Sequence, residues 1–540
     1  MIDYLSSGTG AESGPVWAHS LLAPLTPGAL TPFTGSLLSE VVTRTWDLYY
    51  DRLGFDPPLR AHVVRLHEGR PYLNLTLGAT LEAEHAGSAP PVLQLDGVNR
   101  PLLAWEKPGL FAALKLSRGA KKIEDTLAAL RQELPAITSK AAAWQTRVAG
   151  LRWSQAEILQ IMEEIERAGA AALLPYFAAR HALEGARRRL LHLLGDRPAA
   201  ESTALIVQAL GGAAPTLELD MAQRVQAMSR SAAAQPEVQQ WLAAGDFTAW
   251  ETTLPAGEFA AGLHDFLARY GHRGLHEGEI AAPRWAEALA PLLAAVRAGA
   301  PPPAAPAPAA PADGQPLLAA VDGKARKEAQ QLLAQLGVLL TMQSDALHAF
   351  SYILAGTREW ALAAAREALT DQRIPALEAI FFYEVEEVKE MMTGEWNISD
   401  RSAIHATAAA RRAAWEGWRA ASPPALLWGD RPAQLRADAL PAACGSATGA
   451  ALSLDALSTL TSTLTNGAIL LCSQPESAVS ALLPVAAAFV AAQGDPLDPL
   501  CACARSLGRP GVVAVRAATA PVSPSARVAV DGTLGRVMHL

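Results

Sequence analysis

The spacing of apolar residues changes along the chain, and each change predicts a different kind of element. From about Ala120 to Arg297 apolar side chains recur at three- and four-residue steps in an Ala- and Leu-rich setting, which predicts packed amphipathic helices. Ser154 followed by Glu157 ahead of an apolar run predicts a capping box, each side chain satisfying a free backbone N–H at a helix start. Helical spacing resumes at Leu317 and continues to about Arg419. After Ser422-Pro423-Pro424 the apolar runs shorten to strand length, in Ala468–Leu471, Ala487–Val490 and Gly511–Val515, with helical stretches between, so a small α/β domain is expected. At the end, Arg527–Asp531 and the segment around Arg536-Val537 flank an Asp-Gly pair, the pattern of a β-hairpin.

The N-terminal part has less periodicity. Residues 1–14 are small and polar and are expected to be a loose end. From Val16 to Phe33, Pro and Thr alternate too often for a regular helix, which predicts an extended, turn-punctuated path over a surface. Helical spacing begins at Leu37 and runs to Tyr50. The Glu68–Pro71 stretch reads as a turn into a short strand from Tyr72 to Leu75. The tract from Ala300 to Pro311 contains only Pro and Ala, so a loop of polyproline character is expected within the helical region.

Composition narrows the class. At 540 residues, half of them hydrophobic and 18% charged, the chain is too long for one ordinary core and too apolar for disorder, so several domains are expected. No apolar run approaches the roughly 20 residues that span a bilayer. A net charge of -8 provides no basic footprint for nucleic acid or an anionic membrane. Lys121-Lys122 and Arg187–Arg189 lie in helical pattern and read as solvated faces. The start of the sequence lacks a secretory signal pattern, so a cytoplasmic protein is expected. Cys444, Cys472, Cys501 and Cys503 have no C-x-x-C spacing and read as buried small apolar residues; no metal site is expected.

The C-terminal part resembles the swivelling phosphohistidine domain of phosphoenolpyruvate synthases, pyruvate phosphate dikinases and rifampin phosphotransferases, the PEP-utilising enzymes. The resemblance rests on Leu440–Gly449, Gly467–Leu471, Gly508–Val513 and Asp531–Val537, which match that domain's spaced motifs in order. The family's G-G-x-x-S-H-x-A-x-x-A-R core falls on Gly494–Arg505, keeping Gly494 and the final Ala504-Arg505. Its histidine falls on Pro499. Proline has no side-chain nucleophile, so the phosphoryl transfer that the resemblance implies has no carrier at that position. Asp498 beside it is a weak candidate for an acyl phosphate; between Pro496 and Pro499 it reads more simply as part of a turn.

Two stretches of the middle resemble the substrate domain of rifampin phosphotransferases: Arg269–Gly274 leading to Glu277–Ile280 and Pro283–Trp285, and Ile380–Val388. His272 and Arg273 on their glycine-flanked turn can offer a proton-transfer group beside a fixed cation and are candidate substrate-binding residues; they can equally hold a helix junction together. Phe381, Phe382 and Tyr383 read as core, and Glu384, Glu386, Glu387 and Glu390 as a solvated acidic face. Val16–Thr34 resembles the linker that follows the family's ATP-grasp domain, so the resemblance implies a chain that starts after that domain, and no Gly-rich phosphate cradle is present.

The expected architecture is therefore α+β and multidomain: a linker-like segment with a short strand (1–85), a large helical substrate-type domain (86–421) carrying the 300–311 loop, and a small α/β swivelling phosphohistidine-like domain (426–540). Three functions remain open at this stage. One is a non-phosphorylatable substrate-binding or regulatory subunit whose partner, a separate ATP-grasp chain, supplies ATP and Mg, as in the split phenylphosphate synthases. Another is an active phosphotransferase acting on a small-molecule acceptor through Asp498, through His272 and Arg273, or from a partner's phosphohistidine. The third is a decayed homologue with a structural role. On sequence alone this chain binds no cofactor of its own, and the acceptor can be an antibiotic, a pyruvate-like acid or a phenol.

Overall fold

A computed structural model describes residues 14–19, 22–26, 28–56, 62–95, 98–105, 108–212, 214–300, 312–395, 401–421, 424–433, 439–454, 464–515 and 526–540. The Pro/Ala tract from 301 to 311 and Ser422-Pro423 lie outside them.

Near the N-terminus come strand β1 (Val16–Ala18), helix α1 (Pro32–Leu53), the hairpin β2 (Val64–His67) and β3 (Arg70–Asn74), and helix α2 (Leu75–Ala86). A second hairpin, β4 (Val92–Leu95) and β5 (Val98–Pro101), leads into the helical body. That body contains α3 (Leu110–Ala149), α4 (Gln155–Leu194), α5 (Ala199–Leu210), α6 (Leu217–Ala233), α7 (Pro236–Ala244), the single turn α8 (Trp250–Thr253), α9 (Glu258–Tyr270), α10 (Ala290–Ala298), α11 (Gln315–Ala320), α12 (Arg326–Thr370), α13 (Val385–Thr393) and α14 (Arg401–Ala420). The longest, α12, packs along α4 and α3. The expected capping box is present at the start of α4, Ser154 receiving the Glu157 N–H and Glu157 receiving the Ser154 N–H.

The Pro- and Thr-rich segment does not run over a surface. Val16–Ala18 is buried, and β1 is the centre of a five-stranded antiparallel sheet ordered β2-β3-β1-β6-β7, with β6 (Leu426–Trp428) and β7 (Arg431–Ala433) contributed from far along the chain. The composition signalled a broken helix correctly, but it carried no information on this long-range pairing. Helix α1 also starts earlier than Leu37. Thr31 is its N-cap, accepting the Thr34 N–H, and Pro32 occupies the first turn, where its missing N–H costs nothing.

The C-terminal α/β region follows as β8 (Leu440–Ala443), β9 (Ser446–Ser453), β10 (Ala468–Cys472), β11 (Ala486–Ala491), α15 (Pro499–Ser506), β12 (Gly511–Val513), β13 (Arg527–Asp531) and β14 (Arg536–His539). Its seven-stranded sheet is ordered β14-β13-β9-β10-β11-β12-β8, with β9, β10, β11 and β12 parallel neighbours and the edges antiparallel. Strands β13 and β14 pair from Asp531 opposite Arg536, the hairpin that the Asp-Gly pair predicts. The architecture is thus a large helical region followed by a small α/β domain.

One face of this sheet shares its core with the helical body. Leu470, Phe489, Leu500 and Cys501 belong to the same buried apolar cluster as Met221 of α6, Phe259 of α9, Leu292 of α10 and Trp285 just before α10. Cys472, Cys501 and Cys503 are buried, Cys444 is half-buried, and none of the four is in a disulfide. Among the described residues no helix is long and apolar enough to cross a membrane.

Candidate functional site

Gly494 opens the turn from β11 to α15. Its φ of 108° is left-handed, and a Cβ there would lie 2.4 Å from Pro475 Cγ, so the position takes only glycine. Asp498 ends the turn and Pro499 is the first residue of α15. Both are buried. The Asp498 carboxylate accepts the Arg180 Nη1–H at 2.8 Å and the Asp495 N–H at 2.7 Å, and it has no solvent exposure. Burial, reinforced by the charge of Asp495, pushes Asp498 up to about 7 against the pull of Arg180. Asp495 is held below its ordinary value because Arg187 and Arg180 outweigh its own burial. Leu497 inserts into the cluster of Leu183 and Leu190 of α4 with Leu336 and Leu340 of α12. The turn from Gly494 to Pro499 is therefore seated on α4.

Six residues after Pro499, Arg505 presents a different environment. Its Nη1 donates to the carbonyls of Ala442 and Pro496, while Nε and Nη2 are buried without a hydrogen-bond partner. With Ala502, one turn earlier, it borders a cavity of about 1050 Å³ whose remaining walls come from α3, the α5–α6 junction and α12. Leu134, Pro135, Leu210, Leu217, Leu340 and Met342 make those walls largely apolar. The polar lining residues on α12 are Thr341, whose hydroxyl donates to the Gly337 carbonyl, and Asp345 and His348, three residues apart and so on one helix face. Asp345 accepts no hydrogen bond from the described residues; burial and the nearby Glu218 charge push its carboxyl up to about 6. His348 keeps Nδ1 buried and without a partner, and burial together with the Arg273 charge pushes its imidazole down to about 3.

The His272-Arg273 turn lies next to this cavity but does not border it. Gly271 to Gly274 follow α9, and a Cβ on Gly274 would lie 2.7 Å from the Pro283 carbonyl oxygen. Arg273 has no exposure, donates to both Glu277 oxygens and lies 3.5 Å from Glu218. His272 is buried against Tyr352, the rings stacked 3.7 Å apart at 13°, and touches His348 at 4.9 Å between centroids. Burial, then His348 and Arg273, hold His272 well below its ordinary value. Its place is behind His348, one ring away from the cavity.

The neighbouring motifs are likewise engaged. Glu279 accepts from the Thr31 N–H and hydroxyl and from the Thr34 hydroxyl, tying the Thr31–Thr34 linker motif to the Glu277–Ile280 stretch. Arg284 Nη1 donates to the Glu277 carbonyl. Phe381, Phe382 and Tyr383 are buried, Glu384 and Glu387 form a capping box at the start of α13, and Glu387 pairs with Arg411. His276 Nδ1 meets Glu476 at 2.8 Å, joining the turn to the α/β region. Among the described residues no group of three or more His, Cys, Asp or Glu is placed to hold a metal ion.

The mobile domain of PEP-utilising enzymes matches residues 464–535, which contain Gly494, Pro499 and Arg505. The fourth domain of rifampicin phosphotransferase matches residues 172–367, from α4 to α12, including Arg180, His272, Asp345 and His348. Both matches support membership of the PEP-utilising enzyme family. A comparison with curated proteins gave no match. The cavity lies where the two matched regions meet, with α12 from one and α15 from the other. Sequence reading missed Asp345 and His348. The available signal was the polar run Gln343-Ser344-Asp345 with His348 in an otherwise apolar helical stretch, where buried polar side chains need a reason.

Proposed function

We propose that this protein is a non-phosphorylatable, substrate-binding member of the PEP-utilising family, acting in the cytoplasm with a separate ATP-grasp chain that supplies ATP, Mg and the phosphorylated histidine. The observation that carries the reading is that Pro499, on which the motif register puts the family's histidine, is buried as the first residue of α15 and offers no nucleophile. Asp498 is a poor substitute, because its carboxylate has no exposure and is engaged by Arg180 at 2.8 Å. The cavity of about 1050 Å³ is at the upper end of the range for drug-sized ligands and far larger than a pyruvate-like acid requires, which favours a large apolar acceptor. Rifampicin, named in one matched family, is the first compound to try.

The test combines labelling and binding. The full chain is incubated with Mg and either β- or γ-labelled ATP, with and without a stand-alone ATP-grasp protein carrying its own phosphohistidine, and is titrated separately with rifampicin. Expected are label on the partner alone and saturable binding of the compound. Base-labile label on this chain that disappears in Asp498→Asn would instead establish an aspartyl-phosphate enzyme.

A further inference from the structure

The apolar cavity contains polar atoms that its own walls leave unused. Among the described residues Asp345, half-buried at its wall, receives no hydrogen bond, His348 Nδ1 is buried with neither donor nor acceptor, and Arg505 keeps two buried N–H groups, at Nε and Nη2, unpaired. These are groups from two separate helices, α12 and α15, brought to one cavity by the docking of the α/β region. Buried polar groups without partners cost free energy, commonly about 1–3 kcal/mol each, and a ligand that pairs them recovers it. A neutral imidazole and a carboxylate accept a proton donor, whereas an unpaired guanidinium edge takes an oxygen, best a carboxylate that can lie flat against it. A cationic ligand group is disfavoured at this wall because Arg505 borders it and Arg273 acts on His348 from behind.

We propose that Asp345, His348 and Arg505 form the polar subsite of this cavity, and that it takes an apolar aromatic molecule bearing an acidic hydroxyl beside a carboxylate or carbonyl oxygen. The hydroxyl donates to Asp345 with His348 beside it on the same helix face, the oxygen accepts from Arg505, and the ring system lies against Leu134, Leu340 and Met342. His272 supports the site from behind, its ring stacked on Tyr352 and in contact with His348, and so acts as a positioning residue. The inference rests on the reading of the cavity as the substrate site and adds the chemical class of the substrate.

Three probes separate its parts by isothermal titration of the full chain: 1-hydroxy-2-naphthoate, which has both groups, 2-naphthoate, which lacks the hydroxyl, and 1-naphthol, which lacks the carboxylate. The hydroxynaphthoate is expected to bind about tenfold more tightly than either. Asp345→Asn removes its advantage over 2-naphthoate, and Arg505→Lys, which keeps the charge but loses the planar fork, removes its advantage over 1-naphthol. Because Asp345 has no partner in the fold, that variant is expected to keep the wild-type circular dichroism, so the result is readable even if Arg505→Lys is unstable. Equal binding of the three probes, or an advantage that survives Asp345→Asn, overturns the subsite while leaving a substrate cavity. If no probe binds and rifampicin does not bind either, the substrate-site reading itself falls.

Discussion

The turn at His272-Arg273 and the cavity wall at Asp345 and His348 touch through one ring contact and both keep unpaired polar atoms, His272 Nε2 and Arg273 Nη1 on the one and His348 Nδ1 on the other, but their charged groups are compensated differently. On the turn, Arg273 is closed between Glu277 and Glu218, and Glu279 is held by Thr31 and Thr34. On the wall, Asp345 has no counter-ion or hydrogen bond and the Nδ1 of His348 no partner among the described residues. The difference separates what a family motif marks from where a ligand can be bound. A charged group compensated by counter-ions inside the protein stabilises a junction, whereas one left without a counter-charge at a cavity is available to a substrate. The same contrast recurs on α15, where Asp498 is engaged by Arg180 and Arg505 keeps two N–H groups free.

The contrast is broken most directly by Arg273→Leu. With the guanidinium gone, Glu218 and Glu277 lose their buried counter-ion, and urea unfolding should report a loss of about 3–5 kcal/mol. A loss below about 1 kcal/mol would mean that the turn is not the structural half of the pair. A smaller effect is expected with pH. The folded protein holds His348 near 3 and His19 near 4, both below the ordinary 6.5, so the unfolded chain binds more protons between those values and 6.5. Stability from these residues is complete above pH 6.5 and is lost as pH falls toward 4 and below, and His348→Phe should reduce that slope by about one proton in an acid titration of Tm. The smallest effect belongs to Asp345→Asn. Its carboxyl is raised from 3.8 to about 6, so its unfavourable contribution appears as pH rises through that interval, and the variant should match wild type at pH 3 and gain about 1 °C in Tm at pH 8. A clear drop at pH 8 would indicate that Asp345 has a structural partner.

Much of this was readable from the chain, for physical reasons specific to each element. The helices from α3 to α12 follow from their own periodicity, and the hairpin of β13 and β14 from one Asp-Gly pair. Local signals could not reveal that Val16–Ala18 pairs with Leu426–Trp428, because that register is set by residues about 410 positions away. The cavity was hidden for the same reason: α3, α5, α12 and α15 each contribute a part that looks like ordinary core. His272 and Arg273 stood out because glycines and charge draw the eye in a sequence, while Asp345 and His348 sit inside a long helix whose apolar neighbours mask them.

The buried cluster common to Phe489 and Leu500 on one side and Met221 and Phe259 on the other has a practical corollary. A fragment ending near residue 421, or one starting near residue 426, would expose half of an interior rather than a finished surface, and each would be prone to aggregate. The two regions therefore have to be produced in one polypeptide, and heating should melt them in a single cooperative step.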